Sequence, residues 1–319
     1  MIRSNHNGFR YEGGNEGHYE SYFQRGNHPS RKLAFWIRYT LFSPKGRPRD
    51  AVGELWAIYF DGERRRITPV KVVVPYSRCL FNAWELNARI GDAVLDGSSL
   101  RGSAEVLDHS LAWDLRYTSA EEPLFLLPEG LYDASFPKAK ALVGAPLARF
   151  SGSLVVDGER IAVDDWVGSQ NHNWGVKHTD EYAWGQVAGF DEAPGSFLEV
   201  STARVHLGPI KTPWLSPMVL RHEGREYRWN ALRTAVRAKA RYDFFRWTFD
   251  SRADGARLHG VIEADPKDFV GLPYDNPPGG RKTCLNSKVA RCTVTLERRG
   301  APAVRLHTSD RAAFEILTT

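Results

Sequence analysis

The sequence predicts an all-β protein made of two successive antiparallel β-barrel or sandwich domains. Apolar and polar residues alternate with period two over most of the chain, which is typical of strands with one buried face. Short turns that contain glycine separate these runs at fairly regular spacing, as in antiparallel sheets. The chain has 319 residues, enough for two hydrophobic cores of about 150 residues each.

The first strands expected are residues 34–42 and 53–60, which are rich in aromatic and β-branched residues. Residues 43–50 between them contain two prolines and a glycine, which cannot continue a β-ladder. This pattern predicts a hairpin. Later hairpins are predicted from short glycine-containing turns in residues 154–163, 182–205, 218–229, 242–262 and 289–307.

Three segments do not fit this simple alternation. Residues 231–241 fit a helix by composition, but they also fit one face of a strand. Residues 136–146 are rich in proline, glycine and alanine, so we expect a domain of residues 1–143 followed by a domain of residues 144–319. Residues 271–281, also rich in proline and glycine, are long enough to form a loop over the mouth of a cavity.

Charge and cysteine usage exclude several classes of protein. The net charge of +5 is spread evenly along the chain, which disfavours nucleic-acid binding. The three cysteines form no C-x-x-C motif, so neither a disulfide framework nor a cysteine-based zinc site is expected. No apolar run approaches the roughly 20 residues of a transmembrane helix. Residues 1–8 lack the apolar segment of a secretory signal, so we expect a cytoplasmic protein.

Residues 164–186 are rich in side chains that commonly take part in catalysis or ligand binding. They hold two histidines, four carboxylates and four aromatic residues within 23 positions. Elsewhere the chain has no G-x-S-x-G, no phosphate-binding G-x-x-x-x-G-K-[ST], no G-x-G-x-x-G between a strand and a helix, and no H-E-x-x-H. The dense segment is therefore the best candidate for a functional site.

Within this segment a strand is expected to begin near residue 181. Tyr182, Trp184 and Gln186 then share one face, and the small Ala183 and Gly185 share the other. Bulky, partly polar side chains on one face suit a cavity lining, and small ones on the other suit close packing. The alternative is that Trp184 belongs to an ordinary barrel core.

Residues 168–180, which precede that strand, are expected to form a polar loop beside the cavity mouth. In this interpretation His172 and Trp174 face the cavity. In the alternative, Trp174 is core and His172 satisfies backbone groups of its own loop.

Two further strands place acids among apolar neighbours. In residues 18–25, Glu20 shares a face with His18, Tyr22 and Gln24, and in residues 197–203, Glu199 shares a face with Phe197. Burial raises the pKa of a carboxyl group, which is what a general acid near neutral pH requires. The alternative for each strand is that its acid faces solvent.

His172, His178 and Asp180 could supply two imidazoles and a carboxylate to a metal ion. Their spacing in the sequence matches no strong metal-binding motif. We therefore expect no metal and no other cofactor.

Several of these segments together resemble one known superfamily. The residues that carry the resemblance are His18-Tyr19-Glu20, Trp36-Ile37-Arg38-Tyr39, Asn171-His172-Asn173-Trp174-Gly175 and Tyr182-Ala183-Trp184-Gly185-Gln186. They are similar to motifs of the two-domain lipocalin-like proteins, which include carotenoid 1,2-hydratases, AttH-like proteins, tocopherol-cyclase-like proteins and fungal Diels–Alderases. The resemblance implies two lipocalin-like β domains, a ligand site at or near their junction, and cofactor-independent chemistry on polyene or prenyl substrates.

The resemblance also assigns residues. Glu20 matches the acid of the family's His-x-Glu segment, and His172 and Trp174 match its His-x-Trp segment. The chain departs from the hydratase branch at Asn171 and Asn173, where that branch carries acids. The acid would then be one of four carboxylates, Asp164, Asp165, Asp180 or Glu20.

The function expected is a cofactor-independent enzyme that promotes hydration or cyclisation of a lipophilic, unsaturated small molecule by acid catalysis. The alternatives are a binding protein for such a molecule and a pericyclase that folds its substrate into a reactive shape. The candidate catalytic residues are Glu20, Asp165, His172, His178 and Asp180. The candidate substrate-binding residues are Tyr22, Trp174, Tyr182, Trp184, Gln186 and Glu199. The oligomeric state is left open.

Overall fold

The structure, a computed structural model, describes residues 5–207 and 209–318. The first four residues of the N-terminal stretch considered above therefore lie outside the described residues. Two units can be separated along the chain. Unit 1 comprises Met1–Leu124, Tyr132–His178 and Asp275–Arg281. Unit 2 comprises Phe125–Leu131, Thr179–Tyr274 and Lys282–Thr319.

The first sheet contains twelve strands within the described residues. Its strands are β1 (His18–Asn27), β2 (Leu33–Ser43), β3 (Val52–Asp61), β4 (Arg66–Pro75), β5 (Cys79–Phe81), β6 (Asn87–Ile90), β7 (Ala93–Asp96), β8 (Ser99–Val106), β9 (His109–Thr118), β10 (Leu124–Phe125), β11 (Ala139–Val156) and β12 (Glu159–Gly175). The pairing order is β4-β3-β2-β1-β12-β11-β9-β8-β7-β6-β5, and β10 pairs with β11. Neighbouring strands along this order are antiparallel.

This sheet curls back on itself, because β4 at one end of the order lies against β8 and β9. Alternate residues of its strands then point into a common interior. Phe35, Ile37 and Tyr39 of β2 are fully buried there, together with Phe150 of β11 and Trp166 of β12. Burial of such large apolar side chains is the main source of stability for this unit.

The second sheet belongs to the later part of the chain. Its strands are β13 (Glu181–Ala188), β14 (Phe197–Arg204), β17 (Met218–His222), β18 (Arg225–Arg228), β19 (Lys239–Asp243), β20 (Arg246–Ala253), β21 (Ala256–Glu263), β22 (Val270–Asp275), β23 (Arg281–Arg298) and β24 (Ala301–Thr318). Their order is β18-β17-β14-β13-β24-β23-β21-β20-β19, with β22 paired to β23. A small separate hairpin joins β15 (His206–Leu207) and β16 (Ile210–Lys211).

The remaining regular elements are short. They are the helices α1 (Gly130–Asp133) and α2 (Leu232–Arg237) and the 3-10 turns Pro48–Asp50, Tyr76–Arg78 and Pro266–Asp268. Among the residues that the structure describes, no helix is long and apolar enough to cross a membrane.

Gly185 shows why the second sheet needs a small residue on its core face. Ala183 and Val187, which share that face, belong to the unit 2 core with Trp247 and Ile262. A Cβ atom on Gly185 would lie 2.4 Å from Ile262 Cδ1 and 3.0 Å from Trp247 Cζ3. The prediction that the small face of this strand packs closely is therefore met by the core of unit 2.

The all-β fold class is confirmed, and the predicted hairpins form. Asp157 and Gly158, between β11 and β12, both have positive φ values of 48° and 83°. Asp254 and Gly255, between β20 and β21, also have positive φ values, of 49° and 75°. Two such residues in sequence close a tight antiparallel hairpin. The ambiguous residues 231–241 divide into helix α2 and the start of β19.

Three segments differ from expectation. Residues 136–146 contain no linker, because Ala139 begins β11, and register shifts between residues 143 and 148 absorb the glycine and proline. The chain passes from unit 1 to unit 2 near residue 178 instead. Residues 168–175 are strand and not loop, because β12 pairs with β1 on one side and β11 on the other. Residues 270–275 form β22 rather than a lid.

Candidate functional site

Strands β1 and β12 lie side by side and bring distant parts of the sequence together. Their antiparallel register places Glu20 opposite Trp174 and Tyr22 opposite His172. Directly opposed residues of neighbouring strands point to the same side of a sheet. All four of these predicted site residues therefore share one face of the unit 1 sheet, the face that carries the core residue Tyr22.

A buried carboxylate–imidazole pair stands at the centre of this group. Glu20 Oε1 lies 2.8 Å from His172 Nε2, and both side chains are fully shielded from solvent. The ring of His172 stacks on Tyr22, with 4.3 Å between the ring centroids. The imidazole is therefore fixed both by its hydrogen bonds and by ring packing.

Other donors complete the surroundings of Glu20. The backbone N–H of Arg10 donates to both carboxylate oxygens, at 3.1 and 3.0 Å, and His18 Nε2 lies 2.9 Å from Oε2. Burial by itself would raise the pKa of Glu20, but the hydrogen bonds and positive charge of His172 and His18 outweigh it and lower the pKa to about 2. Glu20 is therefore an ionised carboxylate at neutral pH, contrary to the expectation that burial alone raises its pKa.

Both ring nitrogens of His172 face oxygen atoms that accept hydrogen bonds. Nε2 faces the Glu20 carboxylate, and Nδ1 lies 2.9 Å from the backbone carbonyl oxygen of His6. A neutral imidazole has only one N–H, so it can satisfy one of these contacts. The doubly protonated ring has two N–H groups and can satisfy both. Burial lowers the pKa of His172 although the hydrogen bond and charge of Glu20 oppose that shift, so the second proton is released readily as the pH rises.

Arg10 occupies one face of the Trp174 indole, with its guanidinium carbon 4.1 Å from the ring centroid. Burial lowers the pKa of Arg10, but a guanidinium keeps its charge in proteins. The negative charges of Glu20 and Asp133 both act to raise the pKa of Arg10, so the guanidinium has anionic neighbours within the site. This face of the Trp174 indole therefore already contacts a cation.

The N-terminal segment, residues 5–11, supplies several contacts of the site. Besides His6 and Arg10, the carbonyl oxygen of Asn7 accepts the Tyr22 hydroxyl at 3.0 Å. The Asn7 side-chain amide donates to Gln170 Oε1 at 2.9 Å. These residues are thus part of the site, although they belong to no strand.

Gln24 lies on the same face of β1, four residues beyond Glu20. Its side chain is fully buried, and neither its amide oxygen nor its amide nitrogen has a hydrogen-bond partner within the described residues. An unsatisfied buried polar group costs roughly 1–3 kcal/mol. A polar group of a bound molecule would remove this cost.

Two predicted residues of unit 1 lie apart from the pair. Asp165 is exposed and forms an ion pair with Arg149 at 3.0 Å. His178 stacks on Tyr19 at 4.0 Å between centroids, and Tyr19 points to the face of β1 opposite to Glu20. The structure therefore does not bring either residue to Glu20.

The remaining predicted residues belong to unit 2 and form a polar group of their own. The Trp184 indole N–H donates to Glu199 Oε1 at 2.7 Å, and the Gln186 amide donates to Oε2 at 2.8 Å. Glu199 is buried, so it does not face solvent as the alternative interpretation held. These three side chains lie on the face of β13 and β14 that is opposite to the unit 2 core.

Two other predicted residues of unit 2 make structural contacts. Asp180 accepts the His206 backbone N–H at 2.8 Å and lies 3.4 Å from Lys282 Nζ. The Tyr182 hydroxyl lies 3.7 Å from Cys284 Sγ, and burial raises its pKa well above 10. A neutral phenol of this kind does not act as a base.

Sequence reasoning missed Arg10, Asn7 and Gln170 and did not select His18. His18 was visible on the same strand face as Glu20. Arg10 and Asn7 lie outside any periodic pattern, so no local signal pointed to them. Within the described residues, no group of three or more His, Cys, Asp or Glu side chains is placed to hold a metal ion.

Comparison with known sequences gives partial matches. No family model matches the chain. The chain is 28% identical over 193 residues to uncharacterized proteins of two Mycobacterium tuberculosis strains, CDC 1551 and H37Rv. The match takes in 60% of this chain and 57% of the length of those relatives.

Comparison with solved structures covers nearly the whole chain. An AttH-like protein from Nitrosomonas europaea has a TM-score of 0.57 at 14% identity, with 96% of each chain covered. Kievitone hydratase from Nectria haematococca has a TM-score of 0.63 at 12% identity, with 95% of this chain and 89% of the other covered. CghA, solved with Sch210972, has a TM-score of 0.59 at 12% identity, with 97% and 94% covered. The chain therefore shares its overall fold with these three proteins.

Proposed function

We propose that this chain is an enzyme that transfers a proton from the Glu20–His172 pair to a lipophilic, unsaturated small molecule. Proton transfer to a double bond or carbonyl would start hydration or cyclisation without a cofactor. The observation that carries the proposal is the geometry of His172: both of its ring nitrogens face oxygen acceptors, and its protonated form would aim one N–H at the ionised Glu20 carboxylate. A positioned general acid accelerates such steps by about 10²–10⁴-fold.

His18 supports the proposal because it links the buried pair to the surface. Its side chain is 12% exposed, whereas the side chains of Glu20 and His172 are fully buried. A proton delivered to His18 from solvent reaches Glu20 Oε2 over 2.9 Å. After each turnover the pair can be reprotonated by this route.

An unsatisfied amide favours substrates that carry oxygen. Gln24, on the same strand face as Glu20, has no hydrogen-bond partner for its amide within the described residues. A plain hydrocarbon polyene would leave this amide unsatisfied. A prenylated phenol or an oxygenated terpenoid would supply a hydrogen-bond partner for it while keeping an apolar body. Two similar folds support this class of function, because one is named as a hydratase and another was solved with a bound small molecule.

The experiment incubates the full chain with a panel of prenylated phenols and oxygenated terpenoid alkenes in water labelled with oxygen-18. Mass spectrometry then separates hydration, which incorporates the label, from cyclisation, which gives an unlabelled isomer. We expect Glu20→Gln and His172→Asn to slow either reaction by at least about 100-fold. Asp114→Asn, an exposed acid paired with Arg101, is the matched control and should act as wild type.

Two outcomes would favour the alternatives. Binding of panel members without any product would identify a binding protein, in which the fully buried pair is only a structural element. Cyclised product at the wild-type rate from Glu20→Gln would identify a pericyclase, because substrate folding would then suffice. Either result contradicts proton transfer from this pair.

A further inference from the structure

Residues 232–241 of unit 2, which form α2 and the start of β19, concentrate exposed positive charge. They contain no acid. All of their cations are exposed, and none forms an ion pair or a side-chain hydrogen bond within the described residues. These cations are Arg233, Arg237, Lys239 and Arg241.

The fold anchors this segment on one side and turns its cations outward. Ala235 of α2 is buried. In β19, Ala240 and Tyr242 pack against the unit 2 core. Lys239 and Arg241 occupy the alternate positions of the strand and therefore point away from that core.

Two large apolar side chains are exposed in the same segment. Leu232 is 64% exposed and Val236 is 42% exposed. Residues four apart in a helix lie on the same face, so both belong to one face of α2. Val236, Lys239 and Arg241 border a single surface groove, so exposed apolar and cationic side chains are neighbours in space.

The acids around this segment leave its positive charge in surplus. Asp243, which follows it in β19, offsets one of the four cations. Asp250 and Glu297 both pair with Arg257, and Arg305 borders the same groove, so these four charges cancel one another. Three positive charges of the segment therefore remain unbalanced.

Protection of the sheet edge explains only part of this pattern. β19 is the last strand in the order of the second sheet, and cations on an edge strand discourage pairing with other chains. This role accounts for Lys239 and Arg241. It does not account for Leu232 and Val236, which belong to a helix and add apolar surface in contact with water.

We propose that residues 232–241 dock the protein on a membrane surface that contains anionic lipids. Leu232 and Val236 enter the boundary between head groups and acyl chains, and the four cations contact the anionic head groups. A nucleic acid would contact the cations but would leave the apolar side chains in water. The segment shares no residue with the Glu20–His172 pair, so the proposal is independent of the proposed enzymatic function.

The test sediments the full chain with vesicles of phosphatidylcholine or of an equal mixture of phosphatidylcholine and phosphatidylserine. Wild type is expected to bind the mixed vesicles more tightly, and added salt should weaken this binding. Arg237→Gln and Lys239→Gln should each weaken it about five-fold, the effect of one cation near an anionic surface. Arg116→Gln, which removes an exposed cation of β9, is the matched control and should bind as wild type.

Two further variants examine the apolar contact and the surplus charge. Leu232→Ala should weaken binding to the mixed vesicles by about three- to ten-fold, because less apolar area is buried. Leu107→Ala, which shortens a 93% exposed leucine beside Asp108, is its control and should have no effect. Asp243→Asn should tighten binding, because it removes the acid that offsets the segment. Thermal unfolding shows whether each variant is folded.

Three results would overturn the proposal. Equal binding of wild type to both kinds of vesicle, or to neither, would leave the cations as protection of a sheet edge. Equal effects of Arg237→Gln and Arg116→Gln would place the binding surface elsewhere. A fluorescent single-stranded oligonucleotide that binds wild type and Leu232→Ala equally but Arg237→Gln weakly, without vesicle binding, would identify a nucleic-acid surface instead.

Discussion

At the scale of single residues, the surroundings of Glu20 decide its chemistry. A buried carboxyl group without donors would be neutral, but three donors around Glu20 keep it ionised. Its hydrogen bond in turn orients the imidazole of His172, and its charge favours the protonated form of that ring. The protonation state of Glu20 therefore depends on that of His172, and the reverse also holds.

Glu20 is expected to make the free energy of unfolding depend on pH in the acidic range. Its pKa falls from an ordinary 4.5 to about 2 in the folded chain, so the unfolded chain binds more protons between these values. Above about pH 4.5 the ionised carboxylate contributes about 3 kcal/mol to the free energy of unfolding. This contribution is lost as the pH falls toward 2. Chemical denaturation should show a steeper loss for wild type than for Glu20→Gln in this range. Equal slopes would contradict the ion pair.

The rate of the proposed reaction should depend on pH through His172. Burial lowers the pKa of His172 below its ordinary 6.5, and only the protonated form can donate. The rate of product formation should therefore fall as the pH rises through a value below 6.5. A pH series with wild type and Asp114→Asn should give the same profile. A rate that rises with pH would point to a base instead of an acid.

At the scale of secondary structure, turns could be predicted from sequence and long-range pairing could not. Asp157-Gly158 and Asp254-Gly255 carry the residue types of tight hairpin turns, so their strands were found from local patterns. No local pattern shows that β1 pairs with β12, because their partners are about 150 residues apart. The polar residues 168–175 were therefore interpreted as a loop, although two neighbouring strands satisfy their backbone groups.

Gly185 in β13 gives a prediction at this scale. A methyl group there would collide with Ile262 and Trp247 in a packed core, so Gly185→Ala should destabilise the chain by about 1–3 kcal/mol. Thermal or chemical unfolding measures this loss. Gly97→Ala is the control, because no heavy atom lies within 4 Å of a Cβ at that position. Equal effects of the two substitutions would mean that the core face of β13 is loosely packed.

At the scale of the whole molecule, the division into units follows strand pairing and not composition. Residues 136–146 have the composition of a linker but begin β11, which pairs with β9 and β12. The fold class and the face shared by Glu20 and Tyr22 could be predicted, because both depend on local alternation. The domain boundary and the contacts of residues 5–11 could not, because both depend on which distant strands meet.

The two domain boundaries, at residue 143 and at residue 178, predict different folding of the N-terminal fragments that end there. A chain that ends at residue 143 lacks β12, so β1 has no partner on that side. A chain that ends at residue 178 keeps every strand of the first sheet. We expect the longer fragment to unfold cooperatively and to give near-ultraviolet circular dichroism from its packed aromatic residues, and the shorter one to do neither. Cooperative unfolding of the shorter fragment would restore the boundary near residue 143.

The pairing of β1 with β12 also determines when the Glu20–His172 site can form during synthesis. Glu20 and His172 are 152 positions apart, and ribosomes add about 5–20 residues per second. Glu20 therefore leaves the ribosome about 8–30 s before the histidine that completes its site. During this interval one edge of β1 is open and can pair with other nascent chains. Slower translation lengthens that exposure, so aggregation during synthesis should depend on how soon β12 follows.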